Sequence, residues 1–132
     1  MTSTRAGVGI VVRDPDGLVL VGRRLAEPGQ PLAIPGGKLE GDETIEACAA
    51  RELAEETGIE LEARMLRTFA AVLADGWLVA GVLAEPQQPV QAHVLEPDKF
   101  GALTWIDPAA PPEPLFPLTA ALLARLEAQA GA

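Results

Sequence analysis

Residues 37–59 read GKLEGDETIEACAARELAEETGI. The stretch predicts a loop and then a helix over 43–57. Gly58 is its stop, because glycine takes the left-handed backbone that ends many helices. Within the helix, Glu52, Glu55 and Glu56 stand close together. At about 100° per residue all three share one arc. Ile45, Cys48 and Ala49 occupy the same stripe one or two turns earlier, so the stripe begins apolar and ends in three carboxylates. Ala47, Ala50, Leu53 and Ala54 make much of the remaining surface apolar, which predicts a helix covered on more than one side.

Glutamates on a helix ordinarily form a solvated face. This set fits that reading poorly. Like charges at helical spacing repel, and the last turns of a helix disfavour anions. The arrangement costs stability unless a cation sits there. Carboxylate oxygens suit Mg²⁺ or Mn²⁺, and Mg²⁺ also binds the phosphates of substrates.

At this spacing the residues resemble the signature of the Nudix hydrolases, G-x5-E-x7-R-E-U-x-E-E-x-G-U, where U is a bulky aliphatic residue. Gly37, Glu43, Arg51, Glu52, Leu53, Glu55, Glu56, Gly58 and Ile59 fill every defined position. The resemblance implies an α/β fold, a Nudix-type α/β/α sandwich with a mixed sheet, as a single domain over 1–132. It implies that Glu52, Glu55 and Glu56 bind metal, that the Gly37 carbonyl is a further ligand, and that Glu43 stands nearby where the loop enters the helix. Arg51 would orient the glutamates, its guanidinium matching carboxylates in a bidentate fork. Gly36 and Gly37 would allow a tight loop that brings backbone close to the site. The cofactor implied is Mg²⁺, with Mn²⁺ as the alternative. The activity implied is hydrolysis of a nucleoside diphosphate linked to another group, with Glu52 or Glu55 accepting the proton of the attacking water.

The likeness covers most of the chain. GVGIVVRDPDGLVLVGRR followed by IPGGKLEGDE is similar to the MutT-like branch, which acts on nucleoside triphosphates. EPDKFGALTWID and PLFPLTAALL are similar to a eukaryotic MutT-like group that hydrolyses NTPs and modified dNTPs. The implied reaction converts a nucleoside triphosphate, including oxidised or non-standard dNTPs, to the monophosphate and pyrophosphate. One alternative is a Nudix hydrolase of ADP-ribose, a nucleotide sugar or a dinucleoside polyphosphate. Another is a non-catalytic nucleotide-binding Nudix module, which would be expected to lack signature glutamates.

The chain departs from that group in its aromatic residues, which are Phe69, Phe100, Phe116, Trp77 and Trp105, with no tyrosine. Trp77, Phe100, Phe116 and Trp105 are candidates to stack on a base, although core packing is the commoner fate of such side chains. Arg23 and Arg24 follow a strand and are candidates for phosphate contact, since the Arg fork pairs with phosphate oxygens. Glu96 and Asp98 are read either as an extra acidic ligand or base, or as an ordinary polar loop. His93 reads as a loop residue and Cys48 as buried packing rather than a nucleophile.

The chain has 132 residues, 48% of them hydrophobic, which fits one domain with a sizeable core and excludes general disorder. A net charge of −9 leaves no basic face for a nucleic-acid duplex. An acidic protein that handles anionic ligands needs metal cations with it. The expected partner is a small-molecule nucleotide, with no nucleic acid and no membrane. Family resemblance adds a homodimer to the expectations. One cysteine fits a reducing compartment. The N-terminal sequence has no signal-peptide core of sufficient length, and no run approaches the roughly 20 apolar residues of a membrane span. A cytoplasmic location follows as an expectation.

Other elements read as strands and one more helix. Runs 7–12 and 18–22 flank the turn DPDG and predict a hairpin. Runs 65–73 and 77–84 predict a second hairpin across Asp75 and Gly76. LTWID (103–107) predicts a further strand. Pro117 suits the first position of a last helix over 117–130, where Leu115, Leu118, Leu122, Leu123 and Leu126 recur at helical spacing.

Overall fold

The helix carrying the glutamates forms, starting two residues later than the predicted 43–57 and with a cap at each end. In this computed structural model it spans Ile45–Thr57 (α1). The Thr44 side chain accepts a hydrogen bond from Ala47 N, and Gly58 takes φ 77° and donates its N–H to the Ala54 carbonyl. The structure describes residues 5–130. The two ends of the 1–132 domain expectation, and the first four residues of the N-terminal reading, lie outside them.

Among the described residues there are also seven strands, a 3-10 turn at Ala63–Met65 and a second helix: β1 (Ala6–Val12), β2 (Val19–Arg24), β3 (Leu32–Ala33), β4 (Gly36–Lys38), β5 (Leu66–Ala74), β6 (Trp77–Ala84), β7 (Phe100–Ile106) and α2 (Pro117–Ala130). They build two sheets. The larger is mixed, in the order β4-β1-β6-β5, and the smaller has the order β3-β2-β7. β1 runs parallel to β6 and antiparallel to β4, whereas both pairs of the smaller sheet are antiparallel.

The two hairpin expectations fare differently. β5 and β6 do form a hairpin, closed by Asp75 at φ 51° and Gly76 at φ 81°, the positive pair that a tight hairpin turn demands. DPDG also turns the chain. Asp14 Oδ1 accepts from Asp16 N at 3.0 Å and Leu18 N at 2.8 Å. Yet β1 and β2 are not a paired hairpin. They meet at one bridge, Arg13 with Val19, and then part into different sheets. The reason is competition for edges: β1 is paired along its length with β6 and, on its other edge, at Gly7–Gly9 with β4.

The pleat of the mixed sheet sorts its side chains into two cores. Val8, Ile10 and Val12 of β1, with Ala80, Val82 and Ala84 of β6, meet Cys48, Ala49 and Leu53 of α1. Val11, Val79 and Leu83 face the other way, into a core with Leu122 and Leu126 of α2. The sheet therefore lies between two helices, an α/β/α sandwich. Gly9 and Gly81 are register partners, and Leu122 sits over both. A Cβ added at either glycine would fall 2.9 Å from a Leu122 methyl carbon. No described helix is long and apolar enough to cross a membrane.

Candidate active site

β4 is the hinge between sheet and chemistry. Its pairing with β1 sets Gly36–Gly37–Lys38 beside the carboxylate end of α1. Gly37 and Glu52 come so close that a Cβ at residue 37 would stand 2.1 Å from the Glu52 carboxyl carbon. Glycine is the side chain this contact permits.

Burial grades the three glutamates. Glu56 is 1% exposed. One of its oxygens accepts from Gly36 N at 2.9 Å, and the other forms an ion pair with Lys99. The Glu52 side chain is largely covered, at 13% exposure, and accepts from Arg51 Nη1 at 2.8 Å. The Glu55 side chain is half exposed and lies 3.5 Å from the same nitrogen. Arg51 also grips Glu43, Nε to Oε2 at 3.2 Å and Nη2 to Oε1 at 2.7 Å, and donates to the Lys38 carbonyl at 3.1 Å. The signature carboxylates thus divide between two cations, Glu43, Glu52 and Glu55 pairing with Arg51 and Glu56 with Lys99.

Environment moves these groups apart in acidity. The Arg51 hydrogen bond, aided by the Glu40 N–H, lowers Glu43 to about 2. Burial raises Glu52 against the opposing pull of Arg51. Burial raises Glu56 against Lys99. Arg51 itself is raised, first by Glu43. Cys48, fully buried, is pushed up to about 12 by burial and then by Glu43, so it is packing and not a nucleophile.

A cleft of about 660 Å³ opens beside β4. Gly36, Gly37, Lys38 and Lys99, which neighbour the glutamates, line it, whereas Glu52, Glu55 and Glu56 do not. Arg24, Trp77, Phe100 and Phe116 line it too. The Arg24 guanidinium lies 4.3 Å from the Phe116 ring centre, and the Lys38 ammonium 5.4 Å from that of Trp77. Arg23, next in the strand, faces away and lines a separate cavity of about 420 Å³ with Trp105 and Asp107. The alternation of a strand separates the two arginines. Glu96 turns the chain through its carbonyl, which accepts from Lys99 N and Phe100 N at 3.0 Å, and Asp98 is exposed. Neither lines the cleft. His93 is an exposed loop residue whose N–H donates to the Thr57 carbonyl.

Two cleft residues escaped the sequence reading. Lys38 and Lys99 are the only lysines in the chain, and both line this cleft. Their scarcity in a chain of net charge −9 was the available signal.

The donors suit a hard divalent cation: carboxylate oxygens of Glu52, Glu55 and Glu56, and the carbonyls of Gly36 and Gly37. Among the described residues, however, no three acidic, His or Cys side chains converge on one point as they stand. Arg51 and Lys99 account for this, since each draws carboxylates to itself.

The NUDIX domain family model matches residues 3–126, so the chain belongs to the Nudix family. The chain is similar to the MutT NUDIX hydrolase of Burkholderia pseudomallei, at 30% identity and TM-score 0.82 over 95% of this chain and 99% of that one. It is also similar to RenU, a Nudix hydrolase from M. smegmatis, at 26% identity and TM-score 0.75 over 98% and 88% of the two chains. Among curated relatives, an RNA pyrophosphohydrolase of Caulobacter vibrioides is 39% identical over 75 residues, 56% of this chain and 40% of its own length. The match therefore spans well under half of that relative.

Proposed function

We propose that this Nudix hydrolase is a Mg²⁺-dependent pyrophosphohydrolase of nucleoside triphosphates, oxidised or non-standard dNTPs among them, that releases the monophosphate and pyrophosphate. The single observation that carries this reading is the adjacency of the glutamate cluster and a cleft lined by Arg24, Lys38 and Lys99. Three cations in one cleft of an acidic protein suit a polyphosphate. Trp77 and Phe116 offer ring faces for a base within the same cleft. The likeness to a MutT NUDIX hydrolase supports the same substrate class.

Glu52, Glu55, Glu56 and the Gly37 carbonyl would hold the cation, with Mn²⁺ as an alternative ion. Once bound, the cation supplies charge neutralisation on the phosphates and activation of a water. Arg51 and Glu43 keep Glu52 beside Gly37. Glu52, with its acidity weakened by burial, is suited to take the water's proton, and Glu55 is the second candidate for that step. The cleft residues orient the chain of phosphates toward this end. The whole of 1–132 acts as one domain in this account.

A second reading takes the triphosphate at the 5′ end of RNA as the substrate, and the curated relatives named RNA pyrophosphohydrolase favour it. The net charge of −9 weighs against a long polyanion. The deciding experiment is a substrate panel with Mg²⁺: NTPs, dNTPs, oxidised dNTPs, ADP-ribose, a dinucleoside polyphosphate and 5′-triphosphorylated RNA. The proposal expects pyrophosphate release that is fastest from a free nucleoside triphosphate. Faster turnover of ADP-ribose, a dinucleoside polyphosphate or the RNA would replace it.

A further inference from the structure

Lys99 lies 43 residues along the chain from Glu56, and the fold makes them an ion pair. Its ammonium also donates to the Gly36 carbonyl at 3.0 Å. Gly36 N in turn donates to the other Glu56 oxygen. Backbone, carboxylate and ammonium thus close a ring at the end of the cleft. Lys99 is set in place by its turn: its N–H donates to the Glu96 carbonyl and its own carbonyl accepts from Leu25 N at 3.2 Å. The next residue, Phe100, is buried against Gly22.

The electrostatics of this ring are demanding. An ionised carboxylate as buried as Glu56 is costly without a positive partner. Lys99 supplies that partner. A divalent ion at Glu56 would supply it too, but the ion and the ammonium cannot both sit against one carboxylate without strong mutual repulsion. A lysine has a flexible four-carbon stem, and the Lys99 side chain is 38% exposed where it lines the cleft. The ammonium therefore has somewhere to go.

We propose that Lys99 is a built-in cation that competes with divalent metal for Glu56, and that metal binding sends its ammonium into the cleft toward the polyphosphate. This rests on the metal-site reading above. Lys99 is a positioning residue in this role: it acts through Glu56. It keeps the buried carboxylate paired before metal arrives, and it couples metal entry to the appearance of a free cation where the phosphates lie.

The test is Mn²⁺ binding without nucleotide, followed by the electron paramagnetic resonance of the free ion. Lys99→Gln should bind Mn²⁺ at least about fivefold more tightly than the parent protein, as expected for loss of a cation that competes for a buried carboxylate. Lys99→Arg, which keeps the charge, should bind nearly as the parent does. A second measurement uses the unaltered protein and so is independent of how the variants fold. With only two lysines in the chain, acetylation at Lys99 and Lys38 can be followed by peptide mass spectrometry. Mg²⁺ should raise the labelling rate of Lys99 severalfold and leave Lys38 far less affected. Equal or weaker Mn²⁺ binding by Lys99→Gln, or Lys99 labelling indifferent to Mg²⁺, overturns the competition while leaving the metal site standing. Absence of Mn²⁺ binding in the parent and in Lys99→Gln alike overturns the metal site and this inference together.

Discussion

Arg51 and Glu43 form a two-toothed contact, with Nη2 to Oε1 at 2.7 Å and Nε to Oε2 at 3.2 Å. It ties the loop before α1 to the helix's carboxylate face, and it lowers Glu43 from 4.5 to about 2. The sign of the consequence is fixed by linkage. A carboxylate held lower in the fold than in the unfolded chain stabilises the fold above 4.5, and that contribution fades as pH falls from 4.5 toward 2. Glu52 and Glu56 are raised, so they act oppositely and weaken the fold as pH rises past 4.5. Comparison of the parent protein with Glu43→Gln largely cancels those two. Urea midpoints measured from pH 6 to pH 2 should show the parent's advantage over Glu43→Gln shrinking below pH 4.5. A constant difference would contradict the pairing.

Neighbouring glycines should fail in different ways. At Gly37 an added methyl meets the Glu52 carboxylate at 2.1–2.4 Å, the far end of a flexible side chain. At Gly36 it meets the Val8 carbonyl at 2.3 Å, which is backbone of the central strand. Gly37→Ala should therefore lower kcat by about tenfold or more with a small change in Tm, because misplacing a catalytic group is costly to rate. Gly36→Ala should lower Tm by several degrees, as expected of a clash that costs ~1–3 kcal/mol. Thermal scans and initial rates on both variants check this.

Trp77 lines the cleft, with the Lys38 ammonium 5.4 Å from its ring centre. Trp77→Ala should raise KM more than it lowers kcat, since stacking a base is worth ~1–3 kcal/mol and holds substrate and transition state alike. Michaelis curves for one good nucleotide substrate give the split. A kcat loss with unchanged KM would place Trp77 in the chemistry instead.

Leu122 is fully buried over Gly9 and Gly81. Leu122→Ala should cost about 2–5 kcal/mol of stability, the range for a large buried aliphatic truncation. Gly81→Ala should also destabilise, because Phe69 and Leu122 atoms lie within 2.9 Å of the added Cβ. Denaturant unfolding measures both.

The parts of this molecule that were legible in sequence are those that depend on near neighbours. Helix α1 announced itself through the apolar stripe and Gly58, which are local signals, whereas the Thr44 cap became visible only in the fold. The turn at Asp75–Gly76 is local too. The partners of β1 were not legible, because a run buried on both faces pairs equally well with any strand, and DPDG supplies a turn without enforcing a ladder. The arrangement of Arg23 and Arg24 on opposite sides follows from strand alternation, yet only the fold says which side is the cleft. Lys99 was missed because its meaning lies entirely in a contact 43 residues away. The same loop offered Glu96 and Asp98 as more conventional metal donors, and the chain turns so that the lysine faces the cleft instead.

The proposed activity requires the α1 glutamates to hold a divalent cation for hydrolysis of a nucleoside triphosphate. Glu55 is the cleanest residue to alter, since its side chain is half exposed and its ion pair with Arg51 is 3.5 Å long. The most direct measurement is pyrophosphate release by metal-stripped protein, with and without added Mg²⁺, for the parent and Glu55→Gln. Release should be negligible without Mg²⁺ and recover on adding it, and the rate in Glu55→Gln should be lower by about a hundredfold or more at unchanged Tm. Full release after exhaustive chelation, or full activity in Glu55→Gln, would contradict that requirement.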